Sequence, residues 1–130
     1  MTRAFIKTDS HFKVNRKRIR KVIENFLSEN KVKGKTEISV SIVGDRQMKN
    51  LNRKYRNIDS STDVLSFPLQ QFEKNTKFID PPDDVLRLGD IIISYPQVIE
   101  EARIEEELVD DKIDELIIHG LKNLLGYGSI

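Results

Sequence analysis

Cysteine is absent from the chain. That absence excludes disulfides, thiolate metal sites and thiol nucleophiles together. Histidine is scarce, with only His11 and His119 present, and His11 has no spacing relation to the residues around His119. No apolar run reaches membrane-spanning length, and Met1–Lys7 lacks the long apolar region of a signal peptide. The sequence therefore predicts a cytoplasmic protein with no membrane partner. No glycine-rich phosphate loop, internal repeat or low-complexity segment is visible. What remains is a chain of 130 residues, 38% hydrophobic and 33% charged, about the size of one domain with one core.

The near-zero net charge hides an imbalance. Residues 1–60 carry 16 Lys and Arg against 6 Asp and Glu, and residues 61–130 carry 6 against 15. A basic half of this kind suits a phosphate backbone, unless the two halves face and neutralise each other.

Hydrophobic periodicity predicts a helix from an Asn15 cap to about Glu29, with Ile19, Val22, Ile23, Phe26 and Leu27 on one stripe. Its basic face also admits a membrane-surface reading, which the in-register apolar stripe makes the weaker one. A weak strand covers Ala4–Ile6, and Ile38, Val40 and Ile42 alternate with polar residues as in a half-buried strand. Asp45 is expected to cap a second helix with Met48, Leu51, Asn52 and Tyr55 inward and Arg46, Lys49, Arg53, Lys54 and Arg56 outward. A strand over Val64–Phe67 stops at Pro68. Gln70–Arg87 reads as a surface excursion within one domain. Ile91–Ile93 reads as a strand covered on both faces. A helix opening at Pro96 should bury Val98, Ile99 and Ala102, and a last helix from Leu108 or Val109 should bury Ile113, Leu116, Ile117, Leu121 and Leu124. This order predicts an α+β fold, a single domain over residues 1–130 with helices packed on a small sheet.

Chemistry concentrates near the end. His119 and Asn123 lie one helical turn apart on one face, flanking the buried stripe. A zinc metalloprotease is excluded because Gly120 stands where the general-base Glu belongs. Asp63 and Asp90 are candidate carboxylates, more simply read as turn or strand-end groups bonding backbone. Gly126 is placed to end the last helix, and Gly120 to let it pack closely.

Three ordered segments together resemble the YbeY family of metal-dependent, single-strand-specific endoribonucleases of bacterial rRNA maturation. They are Leu51–Pro68, which contains Thr62-Asp63-Val64-Leu65-Ser66-Phe67-Pro68; Leu88-Gly89-Asp90-Ile91-Ile92-Ile93-Ser94; and His119-Gly120 with Leu124-Leu125-Gly126-Tyr127. The resemblance implies a small mixed four-stranded sheet with packed helices and a metal cleft beside it. The family's metal motif carries three histidines for zinc. Here the first ligand position is His119, while the second falls on Asn123 and the third on Ser129, neither a good zinc donor. The family's Asp falls on Gly128, and the chain ends where the family continues into a further acidic helix, so the domain is expected to be short at its C-terminus. Arg56 matches an arginine placed at the active site, and Arg53 and Lys54 adjoin it as RNA contacts. The implied partners are single-stranded RNA or rRNA and the small ribosomal subunit. Two functions stay open: an endoribonuclease acting in rRNA maturation and ribosome quality control, weakened or silenced by the missing ligands, or a non-catalytic RNA-, ribosome- or protein-binding module. The cofactor is zinc in the family, with no cofactor as the alternative for this chain.

Overall fold

The computed structural model describes residues 1–69 and 85–127. They form β1 (Thr2–Thr8), α1 (Arg16–Glu29), β2 (Lys35–Val43), α2 (Asp45–Arg56), β3 (Val64–Pro68), β4 (Val85–Ser94), α3 (Tyr95–Glu105) and α4 (Val109–Leu124). The strands lie in the order β1-β2-β4-β3. β1, β2 and β4 run parallel, and β3 pairs antiparallel with β4. The architecture is the predicted mixed α+β sheet. Residues 70–84 of the expected surface excursion lie outside the described residues.

Strand alternation sorts the two faces. Ile38, Val40, Ile42, Ile91 and Ile93 join Ile19, Ile23, Leu27, Ile113, Ile117 and Leu121 in the main core, which is therefore sandwiched between the sheet and α1 with α4. On the other face Leu65, Phe67 and Ile92 meet Met48 and Leu51 of α2 in a smaller cluster. Ile91–Ile93 is thus covered on both sides where α2 reaches it, as a continuous β-branched run requires.

β4 starts earlier than the sequence suggested, at Val85. The pairing register slips between Glu37 and Ile38, where Gly89 faces Ile38. One extra residue there lets Leu86 and Leu88 share the core face with Ile91 and Ile93, although their numbering parity differs. Gly89 adopts φ +136°, and a Cβ there would lie 2.2 Å from the Phe67 carbonyl oxygen, so only glycine fits the bulge.

The helix ends explain two departures from expectation. Asn15 caps α1 as predicted, accepting from the Arg18 amide. Asp45, however, is the first residue inside α2, and Gly44 holds the cap position without a side-chain bond. The Asp45 carboxylate instead accepts from Ser61 Oγ at 2.6 Å, Ser94 Oγ at 2.9 Å and Gln97 Nε2 at 3.1 Å. Those hydroxyl and amide donors converge from three other segments and outcompete the local helix amides. Ile99 is 44% exposed rather than inward, because α3 buries only a narrow stripe of Val98 and Ala102.

Candidate functional site

The site builds around β3, an edge strand with α4 on one face and α2 on the other. α4 is set by its buried stripe, with Ile113, Leu116, Ile117, Leu121 and Leu124 all inside as the periodicity predicts. Gly120 brings it down onto β4: a Cβ at this position would lie 2.9 Å from two carbons of the Ile91 side chain. The helix then stops in a Schellman arrangement. The Gly126 amide donates to the Asn123 carbonyl at 3.1 Å and the Tyr127 amide to the Lys122 carbonyl at 2.8 Å.

This placement leaves His119 exposed on the flank of α4. One turn further, the Asn123 amide donates to Ser66 Oγ on β3. Asn123 is therefore a strut between helix and strand, and Ser66 is its unforeseen partner, set on the α4 face by its pairing with Ile91. Ser129 and Gly128 lie outside the described residues.

On the opposite face of β3, the Tyr55 ring lies 5.0 Å from that of Phe67 at 59°, with the Lys54 ammonium 5.2 Å from the Tyr55 centroid. Tyr55 had been expected inside with Met48 and Asn52. Those two are buried, but Tyr55 is 56% exposed because it lies over the sheet rim. Its neighbour Arg56 ends α2, and Arg53, Lys54 and Arg56 fill the last turn, where a helix's negative pole favours cations. All three are exposed. Ser66 and Phe67 are consecutive, so the Asn123 contact and the Tyr55 contact lie back to back across one strand. Neither the Arg56 nor the His119 side chain forms a hydrogen bond or ion pair among the described residues.

The remaining candidates fall elsewhere. Asp63 caps the entry to β3, accepting from the Val64 amide at 2.7 Å while its carbonyl accepts from the Ser94 amide at 2.9 Å, the bonding role expected for it. Asp90 pairs with Phe67 and Ser39, on the sheet face away from α4. His11 is exposed and held by Asp9 at 2.6 Å, a surface residue as anticipated.

A zinc site of the implied kind needs about three nitrogen, sulfur or carboxylate donors around one point. Among the described residues, His119 belongs to no set of three His, Asp or Glu side chains close enough to share an ion. The one such set is Glu105, Glu107 and Glu115, which surrounds Lys112. The Asn123 amide is engaged with Ser66. The described residues thus do not fit a three-imidazole zinc centre.

The charge imbalance is not cancelled internally. Across the two halves, Arg18 pairs with Asp111 at 2.6 Å and Asp114 at 2.7 Å, and Arg87 with Glu37 at 3.4 Å. Arg16, Lys17, Arg20, Lys21, Arg46, Arg53, Lys54 and Arg56 form no ion pair among the described residues. Two basic surfaces therefore stay open to solvent, one on α1 and one on α2. No described helix is long and apolar enough to cross a membrane, and the apolar stripe of α1 faces the core.

Comparisons with known proteins identify the family and the fold. The family described as "Endoribonuclease YbeY" matches residues 5–130. The chain is 38% identical over 114 residues to an "Endoribonuclease YbeY" of Dehalococcoides mccartyi, covering 84% of this chain and 66% of that protein. It is 43% identical over 91 residues to that of an Anaeromyxobacter species, covering 70% and 43%, and 37% identical over 110 residues to that of Caldanaerobacter subterraneus, covering 82% and 70%. The first two relatives are thus longer proteins, of which this chain spans less than two thirds. The solution structure of TM1509 from Thermotoga maritima superposes with a TM-score of 0.59 at 26% identity, over 98% of this chain and 73% of that one.

Proposed function

Taking as premise that the chain belongs to the YbeY family, we propose that it binds single-stranded RNA, rRNA in particular, and that zinc-dependent cleavage is weak or lost. The observation that carries this reading is the Asn123 amide bonded to Ser66. The residue at the family's second ligand position packs α4 on β3, while the last turn of α2 is basic. The RNA part rests on Arg53, Lys54 and Arg56, exposed and without an ion pair among the described residues, beside the half-open Tyr55 ring. Cations beside an accessible aromatic face suit a single strand, whose phosphates take the charge and whose bases stack. Arg56, with five donors in a planar fork, is suited to a bidentate grip on phosphoryl oxygens. A zinc ion held at the family's ligand positions would activate water for attack on the phosphate; here the residues present supply binding and orientation.

The small ribosomal subunit would be the natural setting for such a strand. A protein partner captured on the acidic stretch 100–114 is less favoured, because Lys112 and Arg18 turn Glu101, Glu105, Glu107, Asp111 and Asp114 toward internal cations.

Restoring the two donors tests the reading. The double variant Asn123→His with Ser129→His is expected to melt at a higher temperature with zinc than without, through mass action on the native state, and to gain zinc-dependent cleavage of single-stranded RNA. The parent should show neither change. A parent that cleaves single-stranded RNA with zinc as fast as the variant would sink the proposal.

A further inference from the structure

α1 carries a second concentration of positive charge that the site around β3 does not use. Arg16, Lys17, Arg20 and Lys21 are exposed and unpaired among the described residues, and form two i, i+4 like-charge pairs, Arg16 with Arg20 and Lys17 with Lys21. Such pairs disfavour an isolated helix. They also occupy the first two turns, where no acidic residue is present, so the helix dipole opposes them as well. Arg18, the α1 cation that leans toward α4, is neutralised by Asp111 and Asp114. At 100° per residue, Arg16 and Arg20 lie on the side of α1 away from Arg18, and Lys17 and Lys21 on its solvent crest. Glu24 is the first acid along that surface.

We propose that this surface of α1 is a second RNA-backbone contact, extending the footprint of a strand that also engages the end of α2. The inference rests on the RNA-binding reading above. Charge complementarity selects the occupant. The four cations form no ion pair among the described residues, and the apolar stripe beneath them, Ile19, Ile23, Phe26 and Leu27, is buried in the core, which leaves no apolar face for a lipid surface to take up. α1 packs on β1 and α4, whereas α4 reaches β3 and β4. The strand order β1-β2-β4-β3 sets α1 near one edge of the sheet and the end of α2 near the other. The two helices cover opposite faces, so the contacts lie farther apart than the sheet width of about 14 Å, three steps of ~4.8 Å. Only a strand of several nucleotides can touch both.

Length dependence follows. The test uses fluorescence anisotropy with labelled oligouridylates of about 4 and about 16 nucleotides, lengths that bracket common single-strand footprints, over a range of salt. The variant Lys17→Gln with Lys21→Gln relieves an unfavourable helix-dipole contact and so should fold; Arg53→Gln with Lys54→Gln serves as the α2 control. The α1 variant should bind the long oligomer more weakly, with a salt slope shallower by about 1.4, at about 0.7 per lost contact on single strands. It should bind the short one as the parent does, while the α2 variant weakens both. Unchanged long-oligomer binding in the α1 variant, with the α2 variant still impaired, overturns the α1 contact and leaves the RNA reading standing. No binding of either oligomer by the parent at low salt overturns both. Loss of binding to phosphatidylglycerol vesicles in the α1 variant, with RNA binding intact, assigns the surface to lipid and overturns the proposal.

Discussion

At the scale of single residues, the neighbourhood of α4 shows how the same positions serve packing and chemistry. Gly120 costs helix propensity, by about 1 kcal/mol relative to alanine. It also permits the close approach to Ile91, whose carbons would lie 2.9 Å from an added Cβ. Ile91 is fully buried and β-branched, so it has little room to yield, and overpacking of this kind typically costs ~1–3 kcal/mol. The second effect should win. Gly120→Ala is expected to lower stability by about 1 kcal/mol in urea unfolding, and Gly120→Val by more. An alanine variant more stable than the parent would mean that Ile91 repacks freely. The neighbouring Asn123 makes the complementary point, since its amide-to-Ser66 bond is invisible in the sequence. Periodicity placed Asn123 beside the buried stripe, but finding its partner required the pairing of β3 with β4.

At the scale of elements, legibility followed how local the cause is. α1 and α4 could be read directly, because their caps and buried stripes are encoded within each helix. β4 could not: the bulge at Gly89 breaks strict alternation, so the strand seemed to begin only at the β-branched run. β1 was underestimated for a related reason, since Thr2–Thr8 is extended by pairing with Thr36–Ile42, and alternation along one side of an edge strand is a weak signal. The sequence predicts a local capping role for Asp45, whereas its role is long-range. It ties α2 to Ser61 in the approach to β3, to Ser94 at the end of β4 and to Gln97 on α3. The hydrogen bond from Ser61, with those from Gln97 and Ser94, holds its carboxyl below the usual range despite partial burial. Its folded pKa is thus depressed, so the contribution is present above the ordinary carboxylate value of 3.8 and is lost as pH falls through the lower folded value. Asp45→Ala leaves the proton of the fully buried Ser94 hydroxyl without its acceptor, while the oxygen still accepts from the Gln97 amide; a buried donor left unpaired costs about 1–3 kcal/mol. The expected result is a loss of about 2 kcal/mol with faster hydrogen exchange in residues 57–63, and a smaller loss for Asp45→Asn. Exchange unchanged in that loop would show that Asp45 does not hold it.

At the scale of the whole molecule, the acidic half is organised around one buried cation. The Lys112 side chain is 9% exposed, and its ammonium meets Glu105 at 2.8 Å, Glu115 at 3.3 Å, and Glu101 and Glu107 at 3.7 Å. Four carboxylates from α3, the α3–α4 junction and α4 thus share one positive charge, and Asp63 presses on Glu101 from the approach to β3. The surplus negative charge is relieved by a proton. A hydrogen bond with Glu105, reinforced by burial and by Glu115, pushes Glu107 up to about 7 from its ordinary 4.5. Glu101 is also raised, by burial and then by Asp63. Glu105 is held low, chiefly by Lys112, so it acts only in more acid solution. For Glu107 the folded state binds the proton more tightly than the unfolded chain. Its contribution is therefore complete below about 4.5 and lost as pH rises through about 7. The melting temperature should fall across that window in the parent. Glu107→Gln supplies a permanently neutral, hydrogen-bonding side chain at the same place, so its melting temperature should fall less over the same range and exceed the parent's above it. An equally steep decline in the glutamine variant would locate the titrating group elsewhere, with Glu101→Gln the next variant to melt. Lys112→Met isolates the contribution of the cation: it removes the charge that draws the carboxylates together, and should destabilise the α3–α4 corner most where all four are ionised, steepening the decline with pH that Glu107→Gln flattens.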